Sequence, residues 1–464
     1  MLDGFMSRWS LLGAACVGLL AGDAAAQKTL LMHYMPWYKT PSVRGAWGGH
    51  WSGWGAHNPN NLINGLPDIY SHYHPLIGLY DSTERDVIEC QLLQMKLAGV
   101  DGVIADWYGL SGTYDYAEIH QATLVLFDVA SELDMQFAAC FEDRTVEAQI
   151  NTGALQPGQI NGHMVSTFQW MDANWFVKPN YARFLGRPLL LNFGPIYLTD
   201  PAVWDLAQLA ATEQPLIFSL PHLWRSVQTD GGFTWMYPSV WNNDPPEHII
   251  KQKLYLEHMS VSSNPDEVVP SAMPGFDDIY AVSYPDIPFQ GGETMRITLE
   301  AAIDGPWSHV QLATWNDYGE GTMIEPTHEW GYTFLEKIQA VRAGEIGPAF
   351  AFTPADLRLP ARLLELRRAG NRDGCLLDAA AQALSAGNTA QAEAWIAQME
   401  ADPDAACTAC AADMNADGVL DNGDLGAFID AFLTVDLAAD FTGDGVLDNG
   451  DIGAFVTAFL AGCE

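Results

Sequence analysis

Between Lys28 and Gly347 the chain alternates short apolar or β-branched runs with stretches of helical periodicity. The runs are TLLMHYM, GVIADW, QFAACF, PLLLNF, PLIFSL, FTWMY, VVPSAM and HVQLAT. Continuous apolar runs of this length suit parallel strands covered on both faces. The stretches between them, such as ERDVIECQLLQMKLA, EHIIKQKLYLEHM and EWGYTFLEKIQAV, carry the spacing of amphipathic helices. Eight strands with crossovers in roughly 320 residues predict a (β/α)8 TIM barrel over residues 28–347. A doubly wound open sheet has the same alternation, but no GxGxxG follows the first run. Helical periodicity is weakest in the third and fifth crossovers.

Most runs end in polar or aromatic groups: Pro36-Trp37-Tyr38, Asp106-Trp107-Tyr108, Glu142-Asp143, Asn192, His222, Tyr237 and Asn316-Asp317. A barrel presents these at the C-terminal mouth of its strands, where active sites of this fold are built. The last run opens into ATWNDYGEGTMIEP, with Asp317 and Glu320 three apart. Glycosidic bond cleavage needs two carboxyl groups flanking the anomeric carbon, one as acid and one as base or nucleophile. The neighbours Trp315, Asn316 and Tyr318 argue against a merely solvated acidic face. Aromatic residues crowd the segment after the first strand, including Tyr38, Trp51 and, among them, His50. Such side chains can cover the flat C–H faces of sugars while polar edges bind hydroxyls. Tyr38, His50, Trp51, Asp106, Trp107, Glu142, Tyr237, Trp241 and Asn316 are therefore the expected substrate contacts, although half the aromatic set is expected to pack the loop instead. His33, His72 and His74 read as structural histidines. No HExxH or close His/Cys set points to a catalytic metal.

Composition narrows the partners. The 464 residues carry 58 acidic and 21 basic side chains, a net charge of -37. Such a surface repels nucleic acid and anionic membranes and suits a neutral glycan or a cation. Residues 1–26 read as a signal peptide, with Arg8, an apolar Leu11–Leu20 run and Ala24-Ala25-Ala26 before Gln27, so the protein is expected to be secreted. The apolar run is too short to span a bilayer. Of the six remaining cysteines, Cys90 and Cys140 lie in buried patterns, whereas a bridge from Cys407 or Cys410 to Cys463 would clasp the tail.

Residues 348–406 turn Ala- and Leu-rich and predict a helical spacer. Residues 407–464 then hold ADMNADGVLDNGDLGAFIDAFL and, 27 residues on, ADFTGDGVLDNGDIGAFVTAFL. Each copy has oxygen-bearing residues at loop positions 1, 3, 5 and 9, glycine at 6 and a carboxylate at 12, the pattern of a duplicated EF-hand-like calcium module. The expected ligands are Asp413, Asn415, Asp417, the Val419 carbonyl, Asp421 and Asp424, then Asp440, Thr442, Asp444, the Val446 carbonyl, Asp448 and Asp451. Calcium is the one cofactor expected.

WNDYGE resembles the motif of family 71 α-1,3-glucanases. HYMPWY, GGHW, GVDGVIADWYG and NDYGEGTMIEP together resemble family 99 endo-α-mannosidases. The resemblance implies a TIM-barrel glycoside hydrolase with Glu320 as general acid, and with Trp107 and Tyr237 at substrate-contacting positions. Family 99 carries Glu-x-x-Glu and retains configuration through a 1,2-anhydro sugar. Here the first residue is Asp317, as in family 71, which implies inversion. The tail resembles type I dockerins, implying a cohesin-like partner, although Asn422-Gly423 and Asn449-Gly450 stand where that family often has Ser-Thr. A rival function is a non-catalytic glycan-binding barrel. Retention of both carboxylates favours the enzyme.

Overall fold

A computed structural model describes residues 27–235, 264–280, 286–405, 412–415, 419–443 and 445–461. The proposed signal peptide, EHIIKQKLYLEHM, Tyr237, Trp241, Cys407, Cys410, Cys463, Asp417 and Asp444 lie outside the described residues.

All eight apolar runs contribute strands to one parallel sheet: β1 (Thr29–Tyr34), β2 (Gly102–Trp107), β3 (Gln136–Phe141), β4 (Arg187–Asn192), β5 (Leu216–Ser219), β6 (Gly231–Phe233), β7 (Val268–Val269), β8 (Ser271–Ala272) and β9 (His309–Leu312). The path runs β7-β6-β5-β4-β3-β2-β1-β9-β8. Its two ends, β7 and β8, are halves of the VVPSAM run on either side of Pro270. Proline has no N–H for the ladder, so the strand is broken there. Its carbonyl still accepts from Gln311 N at 2.8 Å, while Val269 O accepts from Thr234 N at 2.9 Å. The sheet thereby curls back on itself, a nearly closed (β/α)8 barrel in which β7 and β8 share one position.

Seven helices of nine residues or more accompany the barrel among the described residues: α1 (Arg85–Leu97), α2 (Tyr116–Glu132), α3 (Arg144–Thr152), α4 (Ile160–Met171), α5 (Pro201–Leu209), α6 (Glu293–Asp304) and α7 (Thr333–Ile346). The third crossover, weak in sequence, holds two of them, α3 and α4. The fifth, from Leu220 to Asp230, makes its return in turns. Local chemistry sets the starts: Asp200 accepts from Ala202 N ahead of Pro201 at the head of α5.

The expected spacer is packed onto the barrel. Its helices α8 (Leu359–Ala369), α9 (Gly374–Ser385) and α10 (Thr389–Ala401) place Leu359, Leu363, Leu366, Leu377 and Ile396 in the same hydrophobic cluster as the barrel strands. Arg367 bonds both oxygens of Glu89 on α1 at 2.9 and 3.1 Å. Beyond it, α11 (Asn422–Leu433) and α12 (Asn449–Ala461) build a separate small core from Ala412, Phe428, Ala439 and Phe455. Phe428 and Phe455, 27 residues apart like the loops, stack at 4.1 Å. Cys375 on α9 is disulfide-bonded, a participant the sequence did not suggest, and Cys90 and Cys140 are free and buried.

Candidate active site

The loop after β9 is held from three sides. Asn316 is fully buried; its Oδ1 accepts from Met35 N at 2.8 Å, and its Nδ2 donates to Met35 O and Tyr80 Oη, both at 3.1 Å. Its amide thus stitches the loop to the end of β1, and no donor or acceptor of it is turned to the mouth. Asp317 N donates to Thr314 Oγ1, and Glu320 N to Asp317 Oδ1, each at 2.9 Å. These two bonds fix the turn that carries both carboxyl groups. A neighbouring loop is laced to it, with Asp277 N donating to Glu320 O at 3.0 Å and Ile279 N to Gly319 O at 2.9 Å. The glycines are needed for this approach. A Cβ on Gly319 would sit 1.9 Å from the Tyr280 ring, and one on Gly321, at φ +65°, 2.5 Å from Asp277 O.

Beneath the loop lies Glu325, 1% exposed and not singled out by the sequence pattern. Its Oε2 accepts from Tyr80 Oη and Tyr318 Oη, both at 2.8 Å, and its Oε1 from Gln91 Nε2 at 2.7 Å. Tyr34 Oη completes the network at Gln91 Oε1, 2.6 Å. Burial pushes the Glu325 carboxyl up to about 7, against the pull of its three donors.

Four carboxyl groups share the barrel mouth electrostatically. Burial raises Asp317 to about 6, opposed by backbone N–H bonds. Glu320 is raised well above the usual carboxylate range by burial and then by Asp317, Asp278 and Asp106, and its Oε2 is buried without a hydrogen-bond partner. Asp106 and Glu142 are raised by burial and by each other's neighbourhood, Asp106 through Asp317 and Glu142 through Asp106, Asp143 and Glu320. Crowded in a low-dielectric mouth, like charges cannot all ionise, so protons stay on some of them at neutral pH. Asp143, beside Glu142, acts on the backbone instead. Its carboxylate accepts from Ile196, Tyr197 and Leu198 N at 2.7–2.9 Å and folds the loop after β4.

The aromatic expectations divide. His50 stacks on Trp37 at 4.1 Å, partly exposed, and burial lowers its pKa to about 3, so the ring is neutral. Tyr38 is buried under the loop and donates to Asn316 O at 2.7 Å. Trp51 and Trp107, expected on the substrate, are both 0% exposed. Trp51 packs on Tyr38 and donates to Tyr80 O at 2.9 Å, tying the long loop down. Trp107 follows inward-facing Asp106 on β2, so strand alternation turns it to the helix layer. There it meets Trp175 at 4.8 Å and donates to His120 Nδ1 at 3.1 Å. Neither indole reaches the mouth. Tyr280, 38% exposed and against Gly319, does flank the carboxylates. It lies seven residues past the VVPSAM run, beyond the strand ends that the sequence singled out.

In the tail, the two loops repeat one hydrogen-bond scheme. Asn415 N and Asp421 N donate to Asp424 at 3.2 and 2.9 Å; Thr442 N and Asp448 N donate to Asp451, both at 2.9 Å. Asp440 accepts from Gly443 and Gly445 N at 2.8 Å, winding the second loop around its first position. Asp424 and Asp451 are fully buried at position 12. An all-oxygen donor set in this winding fits a hard divalent cation.

No family model matches the chain. A glycoprotein endo-α-1,2-mannosidase-like protein of Danio rerio is 23% identical over 315 residues, spanning 63% of this chain and 69% of its own length. Its namesake in Mus musculus is 23% identical over 354 residues, 67% and 73% of the two chains. Among solved structures, the GH99 endo-α-mannosidase of Bacteroides thetaiotaomicron aligns with a TM-score of 0.51 at 19% identity, covering 69% of this chain and 96% of that one. That likeness supports the barrel fold. The relatives and this structural neighbour alike are glycoside hydrolases or proteins named for them.

The raised carboxyl groups have a consequence for stability. Unfolded, these groups titrate near 4, whereas folded Asp317 and Glu325 hold protons up to about 6 and about 7. The folded chain therefore binds more protons between those values, and its stability falls as pH rises through them. Glu325 alone would contribute a loss on the order of 3 kcal/mol. The melting temperature of the barrel transition is expected to be higher at about pH 5 than at about pH 7.5 at equal ionic strength. A barrel that melts later at the higher pH would contradict these assignments.

Proposed function

We propose that the chain is an exported, inverting glycoside hydrolase acting on an α-linked oligosaccharide or polysaccharide. The observation that carries this reading is the separation of two neighbouring carboxyl groups on one turn. Burial raises both, Asp317 only to about 6 because backbone N–H groups favour its anion, and Glu320 further because Asp317, Asp278 and Asp106 add their repulsion. Environments that push two carboxyl groups apart in this way suit an acid and a base. Glu320 donates its proton to the leaving glycosidic oxygen. Asp317 takes a proton from the water that attacks the anomeric carbon from the opposite face. Asp106 and Glu142 accept from substrate hydroxyls, and Trp37, His50 and Tyr280 frame the sugar. The similarity to endo-α-mannosidases supports an α-linked substrate; the shorter Asp317 supports a base acting through water.

We further propose that each tail loop holds one calcium ion. The ligands are Asp413, Asn415, Asp417, Val419 O, Asp421 and Asp424, and Asp440, Thr442, Asp444, Val446 O, Asp448 and Asp451. Calcium would supply charge neutralisation and no chemistry. The exposed, duplicated stripes Leu425, Ile429, Leu433 and Ile452, Val456, Leu460 support a cohesin-like protein partner.

Glu320→Gln and Asp317→Asn are each expected to lower turnover by at least about 100-fold on an α-mannan or α-glucan that the wild type cleaves. Proton NMR of the first-formed product should show the inverted anomer. Near-wild-type turnover of both variants would remove the pair from the chemistry, and a retained anomer would overturn the water-activating role of Asp317.

Chelation should expose the tail to protease while hydrolysis of a soluble substrate continues, because calcium binds only the folded module. Asp413→Ala with Asp440→Ala should mimic the chelator. Equal protection of the tail with and without calcium would rule out the calcium sites.

A further inference from the structure

His33, Asp106 and Cys140 come from three adjacent strands, and each is the fifth residue of its six-residue strand. Asp106 is in direct register with Cys140, and His33 with Ile104, two residues before Asp106. All three face the barrel interior, with exposures of 1%, 3% and 0%. One ligand atom of each lies within 4.8 Å of the others. No sequence motif joins them, since 33, 106 and 140 are brought together only by the curl of the sheet.

The hydrogen bonds around His33 select the form of imidazole that binds a cation. Ser271 Oγ donates to Thr234 O, so it accepts from Gln311 Nε2 at 2.9 Å. The Gln311 amide is thereby oriented with Oε1 toward His33, where it accepts from Nδ1 at 3.2 Å. The Nδ1–H tautomer leaves the lone pair on Nε2. A ligating histidine whose second nitrogen donates to a fixed amide is the arrangement that outer-shell partners impose at metal sites. The Asp106 Oδ1 oxygen, fully buried, has no hydrogen-bond partner. A buried carboxylate oxygen without a donor is costly unless a proton or a cation meets it.

We propose that His33, Asp106 and Cys140 form a binding site for a thiophilic divalent cation of the zinc type. The donor set is one imidazole nitrogen, one carboxylate oxygen and one thiolate, which suits that ion and not calcium or magnesium. Binding releases the Cys140 thiol proton and any proton on Asp106. The product, a dication with one thiolate, one carboxylate and a neutral imidazole, carries no net charge, so the cation meets the unpartnered Asp106 oxygen without leaving a buried charge. Tetrahedral zinc needs ligand atoms closer together than 4.8 Å, so binding would draw them in by on the order of 1 Å. Three protein ligands leave the fourth position for water, toward the barrel mouth.

Cobalt(II) tests the site without relying on activity. Titrated into the full chain with excess calcium to fill the tail loops, Co2+ should produce a thiolate-to-cobalt charge-transfer band in the near ultraviolet, and Zn2+ should displace it. Cys90→Ser should keep the band and Cys140→Ser should lose it. Should Cys140→Ser fail to fold by circular dichroism, His33→Gln should bind Co2+ at least about tenfold more weakly. Absence of the band in the wild type, its persistence in Cys140→Ser, or unchanged affinity in His33→Gln would overturn the site.

Discussion

A carboxyl sealed inside a barrel wall must be given donors or a proton, and Glu325 is given three donors. Its three donors come from α1 through Gln91, from the long first loop through Tyr80, and from the carboxylate loop itself through Tyr318. Each donor is buried, so none can exchange its bond for water without opening the wall. The backbone of Asp317 and Glu320 is therefore set by a residue five to eight positions further along the chain. Asn316 closes the same knot from the other side by bonding Met35 and Tyr80. Held this way, the turn can keep two carboxyl groups at fixed positions in spite of their repulsion.

The repulsion is the second half of the design. Burial does most to raise the proton affinity of Asp106, Glu142, Asp317 and Glu320; Asp317 adds to it at Asp106 and Glu320, Asp106 at Glu142 and Glu320, and Asp278 at Asp317. An acidic surface of net charge -37 strengthens the same tendency at long range. The mouth thus keeps protonated carboxyl groups at a pH where free ones would be ionised. This costs stability, which the barrel's large continuous core can absorb.

The fold was legible because a parallel barrel writes itself as apolar runs; seven of the eight became strands, while FTWMY meets its strand, Gly231–Phe233, at Phe233. Carboxylates and mouth residues were legible for a related reason: strand ends in this fold all open on one face. What misled was reading aromatic residues by type alone. Trp107 follows Asp106 in the sequence, but alternate residues of a strand face opposite sides, so the carboxylate and the indole cannot both look inward. Trp51 sits on a short helix of the loop, where only tertiary packing decides between mouth and core. Glu325 was hidden because a buried, satisfied glutamate has no sequence signature; it stood in plain view in the NDYGEGTMIEP segment. The docking of α8 and α9 on α1 was foreshadowed by the Leu359, Leu363 and Leu366 stripe, though not its partner.

Barrel and tail depend on different physics. The barrel encloses its acids in apolar walls and answers their charge with protons and hydrogen bonds. Among the described residues the tail's core is four buried residues, two of them the stacked phenylalanine pair, too small to outweigh crowded carboxylates by apolar burial alone. Its position-12 aspartates are buried, and among the described residues they accept backbone and hydroxyl donors that also wind the loops. Those bonds orient the oxygens without neutralising them, because an amide N–H carries no net charge. A protonated loop would lose the acceptors that wind it, so the proton that serves the barrel cannot serve the tail. On the calcium sites proposed above, a hard cation would meet that charge, since every expected ligand atom is oxygen.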